Sequence, residues 1–177
     1  LRHGLSAGEK LSPATRDAWR AATATDLHES MGMSECSACL SPSPARPAPH
    51  GTTGYAQPGR RIAVLGADGS PVPRGEPGIL SVHRSDPGLF LGALEGDVIV
   101  LPEGDWFQTG DMVEMADDGA ISTLGRADDM INAGGFRVSP SEIEAAMNAH
   151  PGVAASAAVE VPVRADTSVI ALFYTGE

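Results

Sequence analysis

Apolar residues recur along this chain at two spacings. Near the start, Leu11, Ala14, Ala18, Trp19 and Ala22 fall at roughly helical intervals. Ser12 followed by Pro13 supplies an N-cap and a first-turn proline, whose missing N–H would have had no helical partner anyway. The pattern predicts a helix ending near Thr23. An extended piece around Leu27 runs into "SMGMSECSA", a strand passing into a loop. "SPSPARPAPHG" is too rich in proline for a helix or a central strand and reads as an irregular surface loop. From Arg60 to Arg126 the runs "RIAVLG", "GILSVHR", "DVIVL", "DMVEMA" and "AISTLG" are split by Ala67-Asp68-Gly69-Ser70 and Asp117-Asp118-Gly119. Short β-rich runs punctuated by Asp-Gly turns predict a small antiparallel sheet or open barrel. A second unit begins at "GRADDMINAGGFRVSPSEIEAAMNAHPG". There Gly134-Gly135 marks a hairpin turn, and Ser139, Pro140 and Glu142 form an S-x-x-E capping box. The helix that follows carries Ile143, Ala146 and Met147 on one face and stops at Pro151-Gly152, ahead of two strands, "VAASAAVEV" and "SVIALFY".

Composition sharpens this picture in three places. The 21 glycines and 14 prolines are about a fifth of the 177 residues, well above the ~12% of average usage, which suits a chain of short strands and many turns. The net charge of −11 argues against a nucleic-acid or anionic-membrane surface, because those need clustered Lys and Arg. The acidic side chains concentrate between Glu103 and Glu144, where only Arg126 and Arg137 oppose them. Lys10 is the only lysine among twelve basic residues. Cys36 and Cys39 form C-x-x-C, but neither a second C-x-x-C nor a His pair completes a four-ligand zinc site. Free thiols, with no apolar run long enough to cross a bilayer, predict a cytoplasmic setting without membrane insertion.

Four short segments carry candidate chemistry. In "WFQTGD" the carboxylate of Asp111 follows Thr-Gly at a strand entrance and can accept from two vicinal hydroxyls, as of a ribose; a loop Asp capping a turn is the plainer alternative. "MGMSE" sets the Ser34 hydroxyl beside the Glu35 carboxylate, a pairing able to touch a phosphate oxygen and a magnesium ion together. "SAGE", Ser6 to Glu9, is small enough for a flat base to lie against its backbone, and equally marks a strand-end turn. "GRADD" reads either as a surface ion pair or as a hinge between units. "HGTTGYAQPGRR" lacks the lysine of a phosphate loop and reads as a structural turn feeding the next strand.

In this order, "GMSE", "GTTGYAQPGRR … GADGSPVPRGEPGIL", "WFQTGDM" and "GRADDMINAGGFRVSPSEIE" resemble the adenylate-forming superfamily of acyl- and aryl-CoA synthetases, peptide-synthetase adenylation domains and luciferases. The resemblance spans nearly the whole chain. It implies an α+β fold: residues 1–125 as the antiparallel sheet or barrel part of a large AMP-binding domain, 126–128 as a hinge, and 129–177 as the start of a small, mobile C-terminal lid.

The resemblance also implies activation of a carboxylic acid by ATP and Mg2+ to an acyl-adenylate, then transfer to coenzyme A. Asp111 would hold both hydroxyls of the AMP ribose, Arg126 would reach the same ribose or phosphate region from the domain junction, and Ser34 would contact the α-phosphate. Glu35 would hold magnesium, and Ser6, Ala7, Gly8, Glu9 and Met31 would border the adenine. Gly32 and Met33 would wall the acyl pocket, Asp128 would be the hinge, and Gly134 and Gly135 would admit the pantetheine arm. Met31 stands where that family commonly has an adenine-stacking aromatic, and Gln108 where it often has Arg. The family's phosphate loop and catalytic lysine have no counterpart here, since Lys10 fits neither place. The chain is therefore expected to be an inactive part of a longer ligase, whose remainder is its partner. Loading of a carrier protein, or a non-catalytic module of the same fold, are the alternatives.

Overall fold

The computed structural model describes residues 1–8, 11–133, 136–164 and 167–176. It separates into two units, Leu1–Thr109 with Val113–Thr123, and Gly110–Met112 with Leu124–Glu177.

The first unit opens with β1 (Gly4–Ala7), α1 (Pro13–Thr23) and β2 (Leu27–Met33). Ser12 caps α1 as its sequence implies, its hydroxyl accepting from Thr15 N at 3.1 Å. The alanine face of α1 does not pack inward. Ala14, Ala18, Ala21 and Ala22 are exposed, whereas Arg16, Trp19 and Thr23 are partly covered. Trp19 turns toward β1, and a Cβ at Gly4 would lie 2.7 Å from its ring. An indole buries more area than a methyl row, so it decides which face of the helix docks.

β1 and β2 pair in parallel, with Gly4 opposite Leu27 and Ala7 opposite Ser30, and α1 is their crossover. Sequence reading missed this parallel pair because its partners are separated by the whole helix. β3 (Ser37–Ser41) and β4 (Tyr55–Ala56) add antiparallel strands, giving the order β1-β2-β3-β4.

A second sheet has the order β10-β9-β6-β5, from β5 (Ile62–Leu65), β6 (Pro77–His83), β9 (Trp106–Met115) and β10 (Ile121–Arg126). It is an open sheet rather than a closed barrel. Between β6 and β9 lies an exposed hairpin, β7 (Ala93–Glu95) with β8 (Val98–Val100). Asp118-Gly119 makes the tight β9–β10 turn. Gly119 has φ +84°, and Ala116 N reaches Ala120 O at 2.9 Å.

Cys36, Cys39, Leu40, Val64, Leu80, Val82, Val113 and Ile121 form one buried cluster contributed by both sheets. Each large aliphatic side chain so buried contributes about 1.5–3 kcal/mol. The proline-rich loop is tied down by Arg46, which lies 3.4 Å over the Tyr55 ring and donates to Asp118 O at 2.9 Å. The Gly-Thr-Thr-Gly run is spent on structure: Thr53 N donates to Ile121 O at 2.8 Å and Ile121 N to Gly54 O at 2.7 Å.

The second unit continues with β11 (Ile131–Ala133), β12 (Phe136–Val138), α2 (Pro140–Asn148), β13 (Val153–Arg164) and β14 (Thr167–Gly176). β11 and β12 pair as the expected hairpin, Ala133 opposite Phe136. Its turn residues Gly134 and Gly135 lie outside the described residues. Ser139 is the N-cap of α2 but makes no side-chain cap bond, so the capping box does not form. Its buried hydroxyl donates instead to Leu124 O, which Ser141 Oγ also reaches at 3.2 Å. The helix is fastened to β13 by Glu144 Oε1, accepting from Ala158 N at 3.0 Å.

Candidate functional site

Two groups of sequence-predicted residues are built independently, one in each unit. In the first unit, the parallel pairing of β1 and β2 sets Ala7 opposite Ser30. Ser6, Ala7 and Gly8 therefore run beside the strand that leads into Met31, Gly32 and Met33. Carboxyl ends of neighbouring parallel strands are where α/β sheets open a crevice for ligands. Gly8 turns the chain away there with φ +101°. Glu9 lies outside the described residues.

Met31 is partly buried, and its thioether accepts from Thr123 Oγ1 at 3.5 Å; Thr123 Oγ1 is itself 2.8 Å from Thr53 Oγ1. Gly32 faces the backbone of β3, where a Cβ would lie 2.6 Å from Ala38 Cα. Its missing side chain is thus required by strand packing, whatever else it borders.

Ser34 and Glu35 occupy the turn from β2 to β3, closed by Cys36 N donating to Met33 O at 3.2 Å. Ser34 is exposed and Glu35 partly so, which leaves a hydroxyl and a carboxylate side by side at a turn tip. Cys36 and Cys39 behind the turn are fully buried free thiols. The hydrogen bond between the two holds the Cys36 thiol below its usual range and pushes Cys39 above it. No cluster of three or more His, Cys, Asp or Glu able to hold a metal occurs among the described residues.

In the second unit Asp111 lies within β9 rather than at a strand entrance, because the strand already begins at Trp106. Gly110 before it has φ +80°, a conformation that L side chains adopt at a cost. Gly110 O accepts from Ala127 N at 2.8 Å. Arg126 crosses this glycine: a Cβ on Gly110 would meet Arg126 Nη2 at 2.7 Å. The clearance lets Arg126 Nη1 come 3.6 Å from Asp111 Oδ1 while its Nε donates to Asp128 Oδ1 at 3.2 Å. The bond between Arg126 and Asp128 holds the Asp128 carboxyl below its ordinary range and raises the guanidinium's pKa. Asp111 is mostly buried and Asp128 mostly exposed, so one guanidinium links an inner carboxylate to an outer one.

Beside Arg126 and Asp128 is a cleft of about 590 Å3, whose wall also carries Asp129, Glu144 and Glu160. Four carboxylates against the single guanidinium of Arg126 leave this wall acidic.

Residues 1–93 match the sequence profile of the AMP-binding enzyme family, just over half of the chain. The chain belongs to that family. A relative in Mus musculus, acyl-coenzyme A synthetase ACSM5, mitochondrial, is 34% identical over 167 residues, covering 92% of this chain and 29% of the relative. Among solved structures, ATP-bound MatB from Rhodopseudomonas palustris superposes with TM-score 0.81 at 30% identity over 98% of this chain and 35% of that one. The anthranilate CoA ligase AuaEII in complex with anthranoyl-AMP gives 0.79 at 30% identity, covering 98% and 33%. This member of the AMP-binding enzyme family thus spans about a third of the length of the relatives it matches.

Sequence reading missed three residues of the site's support. Thr123 behind Met31, and Arg60 and Asp86 around the Ser34–Glu35 turn, carried no motif. Two adjacent arginines at a strand start give no signal of which one is buried.

Proposed function

We propose that this chain forms part of an AMP-forming acyl- or aryl-CoA ligase, which joins a carboxylic acid to coenzyme A through an acyl-adenylate with release of pyrophosphate. The observation that carries the reading is the Asp111–Arg126 arrangement across Gly110, a fixed carboxylate with a guanidinium beside it, in a chain similar to named acyl-CoA synthetases. Asp111 accepts from both ribose hydroxyls and Arg126 approaches the same ribose or phosphate. Ser34 donates to the α-phosphate, where charge grows as the substrate carboxylate attacks. Ser6, Ala7, Gly8, Glu9 and Met31 border the adenine, with Met31 giving thioether contact in place of aromatic stacking. Gly32 and Met33 face the acid.

Glu35 is suited to magnesium, which is usually held by one or two carboxylates together with substrate phosphates and water. That ion would neutralise charge on the phosphates. Asp128 serves as the hinge, and Gly134 and Gly135 leave room for the pantetheine arm. The phosphate loop and the catalytic lysine belong to the remainder of the parent chain, since Lys10 is the only lysine here. Cytoplasmic residence suits the reduced Cys36 and Cys39.

The test is pyrophosphate release by the full-length protein across a panel of carboxylic acids. Release followed by consumption of coenzyme A is expected, with loss of ATP affinity in Asp111→Ala. Acyl-AMP formation without consumption of coenzyme A would favour loading of a carrier protein. No release with any acid would refute the ligase reading.

A further inference from the structure

Arg60 and Asp86 form a buried ion pair in the first unit. Arg60 Nε is 3.2 Å from Asp86 Oδ1, and the two side chains are 9% and 0% exposed. Burying two charges is expensive, and well-packed apolar side chains of similar volume often serve stability as well or better. The pair therefore calls for a role that apolar groups could not fill.

The contacts around it supply one. Arg60 Nη2 donates to Cys36 O at 2.5 Å. Asp86 accepts from Arg61 N and, at 2.8 Å, from Gly88 N, which fixes the loop after β6. From that same loop Phe90 N donates to Glu35 O at 2.6 Å. Two successive carbonyls of the Ser34–Glu35 turn, those of Glu35 and Cys36, are thus held by one network centred on the ion pair. Gly88 belongs to it for a steric reason, since a Cβ there would overlap Arg60 Nη1.

We propose that Arg60, oriented by Asp86 in the space left by Gly88, is the positioning residue that fixes the Ser34–Glu35 turn for adenylate formation. The proposal rests on the reading of Ser34 and Glu35 given above. The Arg60 side chain is itself buried. It acts through the Cys36 carbonyl, holding the backbone of the turn that carries the Ser34 hydroxyl and the Glu35 carboxylate. A lysine at this position keeps the charge against Asp86, but its single ammonium lacks the fork that engages Asp86 and Cys36 O together.

Two measurements test this on Arg60→Lys and Gly88→Ala, with Arg84→Ala as control, because the Arg84–Asp105 pair is mostly exposed. Hydrogen exchange is followed on the 177-residue chain, and pyrophosphate formation on the full-length protein. In both test variants exchange should rise at residues 33–37 and stay unchanged in the rest of the first unit. Adenylate formation per folded molecule should fall about 10- to 100-fold, the loss expected of a misplacement near 1 Å, with KM for ATP and acid within about twofold of wild type. Arg84→Ala should match wild type in both. Wild-type turnover in Arg60→Lys, or exchange rising evenly across the unit, would overturn the proposal. If the wild-type full-length protein released no pyrophosphate with any acid, the ligase reading would fall and the catalytic part of this proposal with it. The exchange data would still decide whether Arg60 holds the turn.

Discussion

Gly110→Ala perturbs the Asp111 site in two ways that can be separated. Its φ of +80° places an alanine in the left-handed region, at a cost of about 1–2 kcal/mol. The new Cβ, 2.7 Å from Arg126 Nη2, also drives the guanidinium off its path to Asp111. That ion pair is 3.6 Å long with Arg126 46% exposed, so its loss adds at most ~1 kcal/mol after solvent screening. The total is about 1–3 kcal/mol, which at ~2–4 °C per kcal/mol predicts a fall in Tm of about 2–12 °C. The assay is thermal unfolding of wild type, Gly110→Ala, Arg126→Ala and the double variant. With Arg126 already removed, Gly110→Ala should retain only its backbone penalty of ~1–2 kcal/mol. An equal penalty in both backgrounds would refute the claim that Gly110 makes room for Arg126. A Tm unchanged by Gly110→Ala would refute the backbone argument too.

Gly32→Ala meets the backbone of β3 at Ala38 rather than a movable side chain, so it should destabilise by ~1–3 kcal/mol in urea melts even with no ligand present. His28 is buried, and burial holds its pKa below the usual 6.5. The unfolded chain then binds more protons than the folded one between the depressed value and 6.5, so stability should fall as pH drops below about 6.5 and level off once folded His28 protonates. Urea midpoints from pH 8 to pH 5 check this, and His28→Gln should flatten the slope. Cys36 and Cys39 are 0% and 1% exposed, so a thiol reagent should label neither in the native chain within minutes and both in denaturant. Rapid native labelling would mean the C-x-x-C segment is not in the core.

Signals acting within a few residues were legible in advance. Ser12-Pro13 starts α1, and Asp118-Gly119 turns β9 into β10. The hairpin around Gly134-Gly135 is flanked by the strands expected of it. Each follows from φ preferences and orphan backbone groups that neighbouring residues satisfy or fail to satisfy. Local rules fail where a side chain has a distant alternative. Ser139 has the sequence of a capping box, yet its hydroxyl bonds Leu124 O, a partner no local rule could supply. The alanines of α1 look like a packing stripe until Trp19 takes the inner face.

By itself, then, the sequence determined where most strands and helices lie and which short motifs carry hydroxyl, carboxylate and guanidinium chemistry. The tertiary structure alone decided how those groups are held. It set β1 parallel to β2, so that Ser6 to Gly8 run beside the strand leading to Met31. It laid Arg126 across Gly110 toward Asp111, and it chose Arg60 rather than Arg61 for burial against Asp86. The physical reason is the same in each case. A parallel pair needs a crossover, and a buried charge needs a partner; both come from distant stretches of chain that only packing brings together.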